Sequence, residues 1–173
     1  MEISAEQNLE IKKSDIAGNG IFTKNKIKKG EVIYLLDGEL CGLDEIIRRI
    51  NKGEENPSDP LEVDDEEYLD LEEFSRIFNH SCEPNAYIRG KNDLIALRNI
   101  LPNEEITYDY SATMSDNEEK IINAEGKTWT CKCNCGSKKC RGIIDQFKTL
   151  PIKTKKFYIS NKFMPDFMLK KFG

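Results

Sequence analysis

The stretch Asn79-His80-Ser81-Cys82-Glu83-Pro84-Asn85 decides how the rest of the chain is read, because it sets a histidine and a cysteine among small polar residues just after an apolar segment. His80 is the only histidine of the chain, which excludes catalysis by paired histidines and a histidine-rich metal site. On its own, a lone histidine after an apolar segment reads as a hydrogen-bonded structural residue rather than a base. Cys82 reads equally as a small buried hydrophobe. Ser81 and His80 are adjacent and point in different directions, so they offer no catalytic triad.

Upstream, Asp70 to Glu73 has the spacing of a capping box, and Leu71, Phe74, Ile77 and Phe78 share a face, which predicts a short helix delivering the chain to Asn79. Before it, Gly53 to Pro60 is polar and reads as a loop. Leu43, Ile46, Ile47 and Ile50 recur at i, i+3, i+4 and i+7, with Asp44 at the start, Arg48, Arg49 and Lys52 near the end and Gly53 just past it, the pattern of an amphipathic helix. The first third is strands and turns: Ile11 to Ile16, the turn Gly18-Asn19-Gly20, Ile21-Phe22, and the β-rich run Glu31 to Leu36.

Downstream come Ala86 to Arg89, the turn Gly90 to Asp93, the strand Leu94 to Ile100, the turn Pro102-Asn103 and Ile106 to Tyr110. If the last run is extended, Tyr108 and Tyr110 project to one face and Thr107 and Asp109 to the other. Residues 113–128 are polar and read as a linker. Beyond Cys140, Phe157, Phe163, Phe167 and Phe172 suggest a small apolar flap or one short helix begun by Pro165. The expected class is mostly β with short helices, an α+β fold.

The chain has 173 residues, 38% hydrophobic and 33% charged, enough for one folded domain with a modest core. Its longest apolar run, Val32 to Leu36, is far short of the roughly 20 residues that cross a bilayer. The start, Met1-Glu2-Ile3-Ser4, shows neither a basic nor an apolar leader region, so no membrane partner or secretion signal is expected. The formal charge of −5 is uneven. Between Glu54 and Glu73, 11 of 20 residues are acidic, either a solvated surface or one that steers a basic ligand. From Lys148 to Gly173 there are seven lysines and one aspartate, a tail for nucleic acid or for the protein's own acidic body. Of six cysteines, Cys131, Cys133, Cys135 and Cys140 lie within ten residues, which favours a metal site over disulfides.

The Gly18-Asn19-Gly20 turn lets the backbone approach a ligand without a Cβ in the way, but it lacks the third glycine and following helix of a dinucleotide fingerprint. Taken with Asn79 to Asn85, Glu104-Glu105-Ile106-Thr107-Tyr108-Asp109-Tyr110 and Cys133 to Gly142, in that order, it resembles the SET-domain protein lysine methyltransferases that carry a post-SET zinc motif. The resemblance covers roughly residues 9–145, and the tail after Phe147 is similar to that of small stand-alone microbial SET proteins.

The resemblance implies a SET domain over 9–112 with a variable insert at about 41–70, a post-SET segment over 129–145 and a basic flap over 146–173. It implies a threaded Asn79 segment and S-adenosylmethionine as methyl donor. Ala17, Gly18, Asn19, Gly20, Asn79 and His80 would hold that donor, with Phe147, or Trp129, as a cover for its adenine. Tyr110 falls at the catalytic tyrosine, orienting the amine. Tyr108 falls where relatives carry phenylalanine or tyrosine, which implies mono- or dimethylation. Cys133, Cys135 and Cys140 match the zinc motif, with Cys82 as fourth ligand of one structural zinc. Cys131 reads as packing or as a competing ligand. The implied partner is a basic protein such as a histone-like tail, met by a monomer in a reducing compartment, cytoplasm or nucleus, or by a non-classically secreted effector. The alternative is a SET-like adaptor that binds cofactor or peptide with little turnover.

Overall fold

The chain opens with an antiparallel hairpin, β1 (Leu9–Lys13) and β2 (Asn19–Thr23), registered Leu9 to Thr23 and Lys13 to Asn19. The computed structural model describes residues 5–115 and 129–173. Most of the linker expected at 113–128 lies outside them.

β3 (Val32–Leu35) is followed by β4 (Gly38–Gly42) and α1 (Leu43–Lys52). α1 buries Leu43 and Ile46 and stops at Gly53, whose φ of 72° is a left-handed conformation that favours glycine, so the apolar spacing and the glycine stop read from the sequence both hold. β5 (Leu61–Asp64) and β6 (Glu67–Leu71) form the next hairpin, with β6 paired to β4 on its other edge. β7 (Asn79–His80), β8 (Ala86–Arg89), β9 (Asp93–Ala96) and β10 (Thr107–Tyr108) complete the central region. β9 lies between β3 and β8. Two short strands, β11 (Cys131–Lys132) and β12 (Ile143–Ile144), bracket the cysteine segment.

One expectation fails and another falls short. The helix drawn from Asp70 is instead the end of β6, followed by one tight turn at Ser75–Ile77. Asp70 accepts from Arg49 and Arg76 rather than capping a helix, and pairing on both edges of β6 overrides the local signal. In the tail the short helix expected from Pro165 is present as α3 (Asp166–Phe172), and a second helix that was not expected, α2 (Ile152–Asn161), precedes it.

The main core joins the sheets other than β11–β12, and Ile21, Leu36, Phe78, Leu94, Ile100 and Ile106 within it are each 1% exposed or less. A second core forms beneath α2 and α3 from Phe147, Tyr158, Met164 and Met168. The pairing that shapes the site is β7 with β10, parallel, Asn79 opposite Thr107 and His80 opposite Tyr108. Strands so far apart in sequence pair only when the rest of the domain holds them together, which makes this a non-local fold.

Candidate functional site

β7 and β10 lay the two chemical motifs side by side, and the Ser81 N–H donates to the Tyr108 carbonyl at 3.1 Å. Asn79 reaches across to the first hairpin: its carboxamide N–H₂ donates to the carbonyls of Ala17 and Asn19 at 3.1 and 2.9 Å and to Glu105 Oε1 at 2.8 Å. Glu105 also accepts from the Ser14 hydroxyl. The turn that the sequence marked is thus held by Asn79, while Ser14 and Glu105 had no motif to announce them. Gly18 is needed for its φ of 49°. Gly20 has a different reason from the one expected: a Cβ there would lie 2.1 Å from Glu105 Oε1, so its small size admits a carboxylate rather than a ligand.

Ile16, Ala17, Asn79, His80 and Tyr110 face Lys132 to Asn134 and Ile144 across a cleft of about 220 Å³. A second, narrower channel of about 30 Å³ is walled by Tyr68, Tyr108, Tyr110, Glu62, Met114 and Trp129. Ser58 and Tyr110 border both spaces. The Tyr108 and Tyr110 rings are 4.8 Å apart, on one side of the strand end as the alternation predicts. The Tyr110 hydroxyl donates to the Phe78 carbonyl at 2.6 Å, which fixes the side chain that borders both cleft and channel. Burial pushes both phenols well above the ordinary tyrosine value, so both remain neutral. Tyr68 was not singled out in the sequence; its place opposite Glu62 in the β5–β6 register carries it into the channel.

His80 is buried, and its Nδ1 accepts from the Tyr110 backbone N–H at 3.1 Å. In the neutral ring Nε2 then carries the proton, 3.4 Å from Cys82 Sγ. Burial holds its pKa down at about 4; Asp109 opposes that shift and Arg141 adds to it. His80 therefore braces the site as a neutral ring.

The sulfur atoms of Cys82, Cys133, Cys135 and Cys140 all lie within 4.8 Å of one another, and Cys82 and Cys133 are 3.7 Å apart. Four thiolates at the usual Zn–S distance of ~2.3 Å have sulfurs separated by about 3.8 Å, so the set fits one tetrahedral zinc with no open position. The backbone N–H groups of Arg141 and Gly142 donate to Cys82 and Cys140 sulfurs, a ready outer shell for thiolates. Cys131 is exposed on the cleft wall and stands outside the set, and Cys41 is buried beside α1.

The structure does not bring Phe147 to the cleft. Its ring is 1% exposed inside the second core, 4.9 Å from the Phe172 ring, and offers no face to an adenine. Trp129 borders the channel instead. Sequence reasoning also missed Asp109, whose buried carboxylate accepts from Arg141 on both oxygens and from the Tyr158 hydroxyl at 2.8 Å. No spacing rule links residues that far apart.

Comparison with known proteins agrees with this geometry. The protein-family model described as SET domain matches residues 18–111. Among curated proteins, the chain is 29% identical over 154 residues to human "Histone-lysine N-methyltransferase 2B", covering 82% of this chain and 5% of the relative. It is 33% identical over 159 residues to "Histone-lysine N-methyltransferase TRX1" of Oryza sativa subsp. japonica, covering 84% and 14%. Against "Histone-lysine N-methyltransferase SETMAR" of Bos taurus it is 29% identical over 174 residues, covering 86% and 56%. The chain therefore spans less than two thirds of the length of these relatives. Among solved structures, KRYPTONITE in complex with mCHH DNA, H3(1-15) peptide and SAH superposes with a TM-score of 0.64 at 25% identity, covering 80% of this chain and 29% of that one.

Proposed function

Since the chain belongs to the SET-domain family, we propose that it is an S-adenosylmethionine-dependent protein-lysine N-methyltransferase acting on a basic protein such as a histone tail. One observation carries the reading: Tyr110 borders both a cleft beside the Ala17–Gly20 turn and a narrow tyrosine-lined channel. A transfer between two molecules bound in the two spaces needs their reacting atoms to meet where the spaces adjoin, and Tyr110 stands at that border.

The turn carbonyl side, Asn79 and His80 would hold the donor, which when bound supplies an electrophilic sulfonium methyl. The protein's own task is to present a neutral amine in line. A free lysine has a pKa near ~10.4 and is protonated at neutral pH. A channel of buried aromatic rings disfavours the charged form. Alignment in such a channel is worth up to roughly 7–11 kcal/mol when ideal. The fixed Tyr110 oxygen orients the amine; as a neutral phenol it need not act as a base. The Tyr108 hydroxyl occupies room beside the amine, which supports mono- or dimethylation.

The acidic turn Asp64, Asp65 and Glu66 is exposed at the tip of the β5–β6 hairpin, whose buried face forms one channel wall, which supports a Lys/Arg-rich substrate. Incubation with isotopically labelled donor and mixed core histones, read by mass spectrometry, tests the function. Label on histone lysines in the wild type and its loss in Tyr110→Phe are expected; no label on any protein would end the reading.

A further inference from the structure

A third space shares no lining residue with the donor cleft or the channel. It is an open groove of about 650 Å³ between the zinc segment, at Lys139 and Arg141, and the first turns of α2, at Pro151 to Tyr158. Cys82 to Pro84 and the two residues after β9, Leu97 and Arg98, complete its lining. Met114 and Trp129, on either side of the segment outside the described residues, border the channel and not this groove.

The lining is apolar where it is open. Phe157 is 43% exposed there, although its ring packs on Tyr158 and Phe163 at 5.6 Å. Pro84, Leu97 and Pro151 stand in the same lining, none of them buried. Apolar side chains gathered in a concave space, rather than scattered singly, mark a contact surface.

Charge decides the kind of contact. Three lining cations are answered within the protein: Lys139 by Glu83 at 3.0 Å, Arg98 by Glu104 and Arg141 by Asp109. Lys153 in the lining, Lys156 one turn further along α2, and Lys138 beside Lys139 are exposed, with no ion-pair partner among the described residues. Glu83 is the lining's one carboxylate among those residues. The first turn of α2 holds no acidic residue and no side-chain cap, so its N–H groups add positive potential of the same sign.

An apolar lining flanked by unanswered lysines fits a segment that is both acidic and hydrophobic. It repels the Lys/Arg-rich substrate proposed for the channel. A nucleic-acid backbone would match the lysines but set sugar and phosphate against Pro84, Leu97 and Pro151, and Phe157 offers one ring where a strand of bases needs several. We propose that this groove docks an acidic segment of a partner protein, its carboxylates meeting Lys138, Lys153 and Lys156 and an aromatic or leucine side chain lying against Phe157. The inference does not depend on the methyltransferase reading. A segment seated there also covers Arg141 and Tyr158, the two groups that hold Asp109 next to Tyr110.

The test selects peptides of about twelve residues from a random phage-displayed library on the zinc-loaded full chain and measures the enriched ones by fluorescence anisotropy. Enriched sequences are expected to combine Asp or Glu with Phe, Trp or Leu, and to bind less tightly as salt is added. Lys153→Glu, which removes an exposed charge with no partner to lose, should weaken them about tenfold, and Phe157→Ala by a similar factor. Phe157 also packs on Phe163, so where Phe157→Ala lowers the melting temperature the lysine variant alone decides. Enrichment of no acidic and apolar family, or equal binding by wild type and Lys153→Glu, would overturn the inference. So would a poly-dT oligonucleotide that binds more tightly than the peptides and is weakened by the same variant, which gives the surface to nucleic acid. A dimer in sedimentation that Lys153→Glu dissociates overturns it too, since the groove then belongs to a second copy.

Discussion

The Tyr110 hydroxyl donates its one hydrogen bond to the Phe78 carbonyl, so lone pairs are what its oxygen has left to offer the reacting groups. Tyr110→Phe deletes that oriented oxygen and little volume. Its kcat is expected to fall roughly 10²-fold or more, with affinity for S-adenosylhomocysteine, measured by calorimetry, within about threefold of wild type. Because burial keeps the Tyr108 and Tyr110 phenols neutral, neither should titrate in the assay range. Activity should rise with pH as the substrate amine loses its proton, and an acid-side shoulder from a phenol would contradict the geometry. Tyr108→Phe, which vacates the space beside the amine, should extend the product toward trimethyl-lysine, a mass shift that intact-peptide mass spectrometry reads directly. Gly20→Ala meets Glu105 head-on and should cost about 1–3 kcal/mol of stability, visible as a lower melting temperature. The glycines, tyrosines and cysteines were legible because each is a residue type with a restricted use. Ser14 and Asp109 were not, because an ordinary polar residue becomes special only through a partner dozens of residues away.

At the scale of elements, the acidic stretch is two things at once. Its hairpin tip is solvated, but Glu55 is buried and bonded to Arg76, and Asp70 bridges Arg49 and Arg76. The helix expected from Asp70 failed for this reason: a capping-box spacing is a local signal, and strand pairing on both edges of β6 with two arginines outside it outweighed it. α1, by contrast, was legible end to end, since periodicity, dipole charges and a glycine stop agreed. Burial, and then a hydrogen bond to Asp70, push the Glu55 carboxyl up to about 7 from its ordinary 4.5. A carboxyl raised by folding binds more protons folded than unfolded between those values, so its contribution is present at low pH and lost as pH rises through about 7. The melting temperature should therefore decline from about pH 4.5 to about pH 7 and level off above it, and Glu55→Gln should flatten the decline. An equal slope in both proteins would remove Glu55 from the account. The exposed charges have a separate effect: Lys in place of Glu66, Glu67, Glu72 and Glu73 together should raise KM for a basic peptide while leaving kcat near wild type, more so at low salt.

Across the whole molecule, the C-terminal helices meet the sheets where α3 packs on β5 and where Phe163 stacks on Tyr87, and Arg141 adds a polar link that belongs to both the cysteine segment and the clamp on Asp109. The Arg141 backbone N–H donates to Cys82 Sγ, and its guanidinium grips Asp109, which also accepts from Tyr158 of α2. Metal, strand end and C-terminal helices are thus in series. The basic tail touches the acidic stretch by packing, α3 against β5: among the described residues, no ion pair joins Lys153, Lys156 or Lys162 to a carboxylate, and packing and this clamp attach the helices. Zinc binding would then be felt well away from the sulfurs. Removing it leaves four thiols in a pocket that was closed around a dication, frees the Arg141 loop and weakens the hold on Asp109. Hydrogen exchange after chelation should rise about tenfold or more across 152–172, where the second core depends on that clamp, and stay slow at Leu94 and Ile95 in the first core. Asp109→Asn in the zinc-loaded protein should reproduce the acceleration over 152–172 without loss of metal, measured by zinc content on the same sample. If chelation speeds exchange only around Cys131 to Gly142 and leaves α2 and α3 protected, the helices stand by their own packing and the series connection through Arg141 is wrong.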